Sequence, residues 1–408
     1  MSRPAAAIAT LRRSAAWPSH VSASLEAQDW NGVAAALAAG LPANLVGTHG
    51  MTLFEHVLEA LEARTRPMDR VEVPPAPPIL LDAFLRNGLS REDLSDGHAT
   101  AVSLAVGYGQ WDWVDRLLEE GFRVEGAHGS VFHALLEGRA HRVAERGMAP
   151  PVDHGAVDAA PTEGREEIFR VANLVGQLAD AGASVESVQT RSPTPMPPLS
   201  RAILQLDEPV TAGLIQAGAD LTVRPPGVRH RPFELAISRG HEGLVSLVAA
   251  GGAPLDPDPG RPASETLDEQ PLILAARLGL PALVVSLAEL LGPERVHRYG
   301  SAAMHAAAAC GQVPAMRALR RIGVSYAVDL PGSGDTALHQ AALAGQAEVL
   351  GFLTRRGQRW DRRNSAGLSA EDVLRAAHPD LLARFGLAPR RDEGLRMLSS
   401  GRRAGPRT

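Results

Sequence analysis

Metal coordination is the first chemistry that fourteen histidines suggest. A zinc-type site needs several His, Cys, Asp or Glu side chains converging at ligand spacing. His305 and His339 do not provide it, because the residues four positions on are Ala309 and Leu343. His49, His98, His128 and His230 fall in polar loop stretches and read as loop residues able to touch a partner. Covalent catalysis fares no better. Cys310 is the single cysteine, so an internal disulfide and a cysteine zinc cage are excluded, and it reads as a small packed thiol beside Gly311. Gly129-Ser130 and Gly332-Ser333-Gly334 are not the G-x-S-x-G elbow, and neither follows a buried strand. The latter precedes a helix, whose free amides could hold a phosphate, but a lengthened turn explains it. Glu119-Glu120 sits at the outer end of a helix and reads as a solvated face. All 41 basic residues are arginine, which removes the lysine of a Walker A site or a Schiff-base enzyme. No catalytic residue, metal site or cofactor is expected.

Side chains are held by elements, and the clearest stretch is Asp335 to Gly357, DTALHQAALAGQAEVLGFLTRRG. Leu338, Ala341 and Ala342 share one helix face, and Val349, Phe352 and Leu353 share another. Thr336 stands at the N-cap, where its hydroxyl can accept from first-turn amides. Gly345 marks the break between two short antiparallel helices, and Gly357 closes the second above Arg355 and Arg356. A hairpin this small cannot bury its own apolar face, so it needs copies beside it. Copies begin at Met51, Ala99, Pro197, Arg231, Glu269 and Ser301. Ser24–Gly40 reads as a degenerate first copy with Trp30 as an end-packing residue, and a more polar copy capped by Ser369 ends the series.

The recurrence carries a family pattern: T-P-L-H-x-A-A, a glycine, then a second helix ending L-L-x-x-G-A. It is met by Thr336, Leu338, His339, Ala341, Ala342, Gly345, Leu353 and Gly357. It is met again by Met304, His305, Ala307, Ala308, Gly311, Leu319 and Gly323, and by Thr100, Val102, Ala105, Gly109, Leu117, Leu118 and Gly121. The chain therefore resembles the ankyrin-repeat family, at a period near the ~33 residues of that repeat. The resemblance implies an all-α solenoid of stacked helix-turn-helix units with protruding loops. It implies that Thr336, His305, His339, Gly311 and Gly345 do structural work, the histidines bridging neighbouring repeats.

The expected organisation is a leader over 1–20, an array of about nine repeats over 21–388 and a disordered basic tail over 389–408. The tail has six arginines and reads as a solvated terminus. Pro74, Pro75, Pro77 and Pro78 place a loop in the Met51 repeat, and Pro254, Pro257, Pro259 and Pro262 keep another stretch extended. The largest insertion, near 139–165, separates the helix containing His133 from the helix ending at Gly182. A net charge of −5 argues against duplex DNA as the main ligand, and no apolar run is long enough to span a bilayer.

What remains is recognition. In the family, hairpin tips and first helices line a concave groove. The matching tip positions here are Arg224, His230, Arg298, Tyr299, Ser301, Asp335, Arg362 and Arg363, and the first-helix positions include Tyr108, Arg239, Arg277 and Leu278. Arginine and tyrosine anchor interfaces by combining area with directed hydrogen bonds. The expectation is a monomeric, non-enzymatic, cytoplasmic scaffold for an acidic protein partner of unknown identity, with no nucleic acid and no membrane. The weak leader and the missing lysines suggest a bacterial effector delivered into a host cell, although GC-rich coding explains the arginines as well. The alternatives are an immunity or antitoxin protein, and a hydrolase hidden in the insertion.

Overall fold

Short runs of Ala, Leu and Val with polar caps leave the chain one way to bury apolar surface, which is to pair brief helices and stack the pairs. The computed structural model describes residues 17–47, 50–64, 78–92, 94, 99–126, 130–145, 165–188, 195–228, 230–256 and 269–387. Two units are distinguished, Met1–Ala253 and Pro254–Thr408.

Among the described residues the first unit shows six helix pairs: α1 (Ser19–Glu26) with α2 (Trp30–Ala38), α3 (Leu53–Arg64) with α4 (Pro78–Arg86), and α5 (Ala101–Gly107) with α6 (Trp111–Glu119). They continue as α7 (Val131–Glu145) with α8 (Arg165–Asp180), α9 (Pro198–Gln205) with α10 (Glu208–Gln216), and α11 (Pro232–Arg239) with α12 (Glu242–Ala250). The first helix starts at Ser19, inside the span expected to be leader, and Trp30 is buried. An aromatic knot of Phe54, Phe84 and Trp113 joins the second and third pairs, with ring centroids 5.2–6.4 Å apart. Helices α5 and α7 approach so closely that a Cβ at Gly138 would lie 1.8 Å from the Gly107 carbonyl oxygen.

The second unit contains α13 (Pro271–Leu278), α14 (Pro281–Ala309), α15 (Val313–Arg321), α16 (Ala337–Leu343), α17 (Ala347–Arg355), α18 (Ala370–Ala377) and a closing 3₁₀ turn (Pro379–Phe385). Helix α14 is two helices abutting at Gly292, whose φ of 78° and ψ of 168° break the spiral. Pro293 then opens the second half, where a missing N–H costs nothing. One repeat's second helix thus runs into the next repeat's first helix without a hairpin loop. Arg298, Tyr299 and Ser301, expected at a tip, are helical instead.

Among the described residues β-structure is limited to three antiparallel bridges, Val46 with Thr52, Asp329 with Thr336 and Arg363 with Ser369, which are the hairpin tips. Helix α7 continues to Glu145, past the expected start of the insertion at 139. Residues 146–164 of that insertion, leader residues 1–16, Pro74, Pro75, Pro77, Pro257, Pro259, Pro262, His49, His98, His128 and the 389–408 tail lie outside the described residues. Pro78 opens α4 rather than lying in a loop. No helix among the described residues is long and apolar enough to cross a membrane.

Candidate partner-binding surface

The first helices are fixed from below by their histidines. His133 Nε2 lies 3.0 Å from the Met196 carbonyl, His305 Nε2 2.7 Å from that of Asp335, and His339 Nε2 3.1 Å from that of Leu368. Each acceptor sits immediately before the N-cap of the next first helix, Pro197, Thr336 or Ser369. In His339 the Nδ1 accepts from the Thr336 N–H at 3.2 Å, so Nε2 carries the proton given to Leu368. The Thr336 hydroxyl lies 2.8 Å from the same Nδ1, and Thr336 and His339 form a reciprocal capping box at the start of α16. Thr100 reaches across to the Val124 carbonyl at 3.1 Å in a repeat without the histidine.

Gly311 and Gly345 hold the turns. Both have positive φ, 81° and 68°, which glycine adopts without strain. Both are also roofed by the following turn: a Cβ would meet Gln346 Oε1 at 2.8 Å at the first and the His378 ring at 2.8 Å at the second. Gln346 in turn donates to the Ala309 carbonyl at 3.0 Å.

The expected partner-binding residues divide by what already holds them. Tyr108 caps α5 half-buried, and Arg239 ends α11 exposed, with no ion-pair partner among the described residues. Arg277 and exposed Leu278 end α13. Arg224 and His230 are half-buried in the loop before α11 and engaged within the chain. Arg298 pairs with Glu294 at 3.0 Å and lies 6.0 Å from the Tyr299 ring. Asp335 is a hub of the fold: Gln340 and Asn364 donate to its carboxylate at 3.0 and 2.8 Å. Arg362 pairs with Asp329, and Arg363 donates to the Gly367 carbonyl. Asp335, Arg362 and Arg363 are thus held within the tips, whereas Arg239 and Leu278 are exposed at their helix ends. Gly332-Ser333-Gly334 is also a built tip: the Ser333 hydroxyl accepts from the Asp335 N–H at 3.2 Å and its carbonyl from the Ser365 N–H at 2.9 Å. Cys310 is exposed rather than packed.

The charge pattern of this face was not foreseen. Burial, then the carboxylates Glu55, Glu59 and Glu62 on α3, push the Tyr108 phenol up to about 12. Burial also raises Glu55, with Glu59 adding to it. Arg142 crosses a whole repeat to answer Glu62 at 3.2 Å, donating to the Gly107 carbonyl at 2.8 Å on the way. Further along, Arg201 pairs with Glu137 at 3.0 Å, and Arg139 with Asp207 at 2.6 Å, the latter almost out of solvent. Among the described residues no group of three or more His, Cys, Asp or Glu side chains could hold a metal ion.

A pH signature follows from His241, which lies 3.2 Å from Glu208 of the preceding repeat. The Glu208 carboxylate beside it raises its pKa above the ordinary 6.5, against an opposing effect of burial. Its stabilisation is therefore complete below about pH 6.5 and is lost as pH rises through the higher folded value. Both groups are partly exposed, so the effect stays on the order of 0.5 kcal/mol. Melting measured from about pH 6 to about pH 8 should fall more in wild type than in Glu208→Gln. Parallel curves would remove this pair from the account. His133 has the opposite sign, lowered by burial, and is common to both proteins.

The family model for ankyrin repeats (three copies) matches residues 272–364. Among solved structures the chain is similar to the human ASB11 ankyrin repeat domain, at 20% identity and a TM-score of 0.39, over 61% of this chain and 100% of that one. It is similar to the ankyrin repeat domain of Bcl-3, described as a unique member of the IkappaB protein family, at 19% identity and a TM-score of 0.38, over 54% and 94%. No curated protein matches the chain.

Proposed function

We propose that this chain, whose residues 272–364 match the ankyrin-repeat family model, is a scaffold that binds a protein partner through the face formed by the first helices of its first unit. Ankyrin repeats are in general protein–protein interaction modules. The observation that carries the reading is the contrast at that face. Asp335, Arg362 and Arg363 at the tips are held by internal bonds, whereas Tyr108 and Arg239, at first-helix ends of the first unit, present ring and guanidinium surface. Binding, not turnover, is the activity this supports. Arg239 suits a carboxylate on the partner, while Glu55 and Glu59 beside Tyr108 suit a basic residue, so the partner segment carries both charges.

The lysine-free sequence supports a finer reading, a bacterial effector working in a host cytosol where lysine would invite ubiquitin. One experiment addresses both levels. Immobilised wild type and the Tyr108→Ala/Arg239→Ala double variant are exposed to eukaryotic and to bacterial lysates. Captured proteins are then purified and titrated against each. The double variant should bind at least roughly tenfold more weakly with unchanged helicity, since interface anchors cost more than ~1 kcal/mol each on truncation. A partner found only in eukaryotic lysate favours the effector, and one found only in bacterial lysate favours the immunity-type alternative. Equal affinity of variant and wild type would overturn the first-helix face.

A further inference from the structure

Helix α8 leans to one side. Gly213 of α10 has no side chain, and a Cβ there would meet Val175 Cβ at 2.6 Å and the Ala172 carbonyl at 2.9 Å, so α8 and α10 touch almost backbone to backbone. On the opposite side of α8, toward α6, lies a cleft of about 180 Å³ lined by Trp111, Asp115, Arg170, Asn173, Gln177 and an apolar floor including Leu174. Small-molecule sites run to about 300–1,000 Å³. This cleft is the size of one side chain.

Its lining carries one carboxylate, Asp115, and one guanidinium, Arg170. Helix α6 and its cap carry Asp112, Asp115, Glu119 and Glu120. Arg116 answers Glu119 and Glu120 at 3.3 and 3.1 Å, and Arg170 answers Asp112 at 2.7 Å. Asp115 is left with no salt bridge or hydrogen bond among the described residues, and partial burial with Asp112 and Glu119 nearby raises its pKa despite Arg170. Asn173 and Gln177, one turn apart, line the same cleft. Phe169, 68% exposed, stands next to Arg170 at the same end of α8.

We propose that the cleft between α6 and α8 is a second recognition site, on the second helices, that takes an arginine side chain of a partner protein next to an apolar residue. The planar guanidinium fits a carboxylate bidentately, stacks on an indole and donates to carboxamide carbonyls, which a compact ammonium does less well. Arg142 already lies 5.7 Å from the Trp111 ring, so this indole accepts a guanidinium within the chain itself. The apolar neighbour of the incoming arginine covers Phe169. This site stands apart from the first-helix face and does not depend on it.

The test uses the full chain labelled with 5-fluorotryptophan, with the Trp111 resonance assigned through Trp111→Phe. The probes are acetyl-Leu-Arg-Leu-amide and the same peptide with citrulline, which keeps the shape and removes the charge. The arginine peptide should shift the Trp111 resonance saturably and bind at least roughly fivefold more tightly than the citrulline peptide. Asp115→Asn should erase that difference. No saturable shift at Trp111, equal binding of the two peptides to wild type, or a difference that survives Asp115→Asn would each overturn the proposal. The comparison of peptides on wild type decides the matter even if the variant melts early.

Discussion

Leu338→Asp is expected to abolish cooperative folding of the second unit. Leu338 is 1% exposed on α16, between Thr336 and the Ala341–Ala342 face. Losing a buried leucine costs about 2–5 kcal/mol, and a carboxylate in the same place must either stay charged out of water or take up a proton, each at further cost. A whole domain is held by about 5–15 kcal/mol, so one substitution can consume most of it. In a stack each repeat depends on its neighbours, and the loss should spread beyond α16. Leu343→Asp is the control: the same helix, the same change, but 58% exposed, with a shift of less than about 0.5 kcal/mol expected. Urea melts followed by circular dichroism separate the two. A native-like transition for Leu338→Asp would contradict the stacking.

The second large effect belongs to Arg139. Its guanidinium lies 2.6 Å from Asp207, and the two side chains are only 7% and 10% exposed. Asp207 also caps α10, accepting from the Val210 N–H at 3.1 Å. Arg139→Ala should therefore cost about 3–5 kcal/mol, because it strands a buried carboxylate. Arg139→Met with Asp207→Asn removes both charges and keeps the cap acceptor, and it should recover most of the loss, since a buried pair is worth little against well-packed neutral groups. A single variant within about 1 kcal/mol of wild type would mean that water reaches Asp207 more freely than the structure shows.

Local chemistry explains what could be read from the sequence. Leu338, Ala341 and Ala342 declare a helix face, Gly311 and Gly345 declare turns, and the histidine slot repeats at His305 and His339, all within a few dozen residues. What the sequence concealed lies across repeats or at an ambiguous boundary. Glu62 and Arg142 are 80 residues apart, and Arg139 and Asp207 are 68 apart. No local spacing announces such pairs, because only stacking brings them together. The Gly292-Pro293 pair reads equally as a helix end and as a helix start; it is both, and Arg298 and Tyr299 moved from a tip into a helix in consequence. Asp335 kept its place at a tip, but Asn364 and Gln340 claim its carboxylate. The α6–α8 cleft was hidden for a similar reason. Nothing in the sequence says that Gly213 draws α8 toward α10.

Hydrogen–deuterium exchange of the full chain, free and bound to its captured partner, tests the recognition surface most directly. Partner binding should slow exchange in the first helices of the first unit and their C-terminal turns, around Tyr108 and Arg239. The hairpin tips around Gly332 and Arg362, already tied by internal bonds, should change less. Protection at the tips, with exchange near Tyr108 and Arg239 unaltered, would contradict the account.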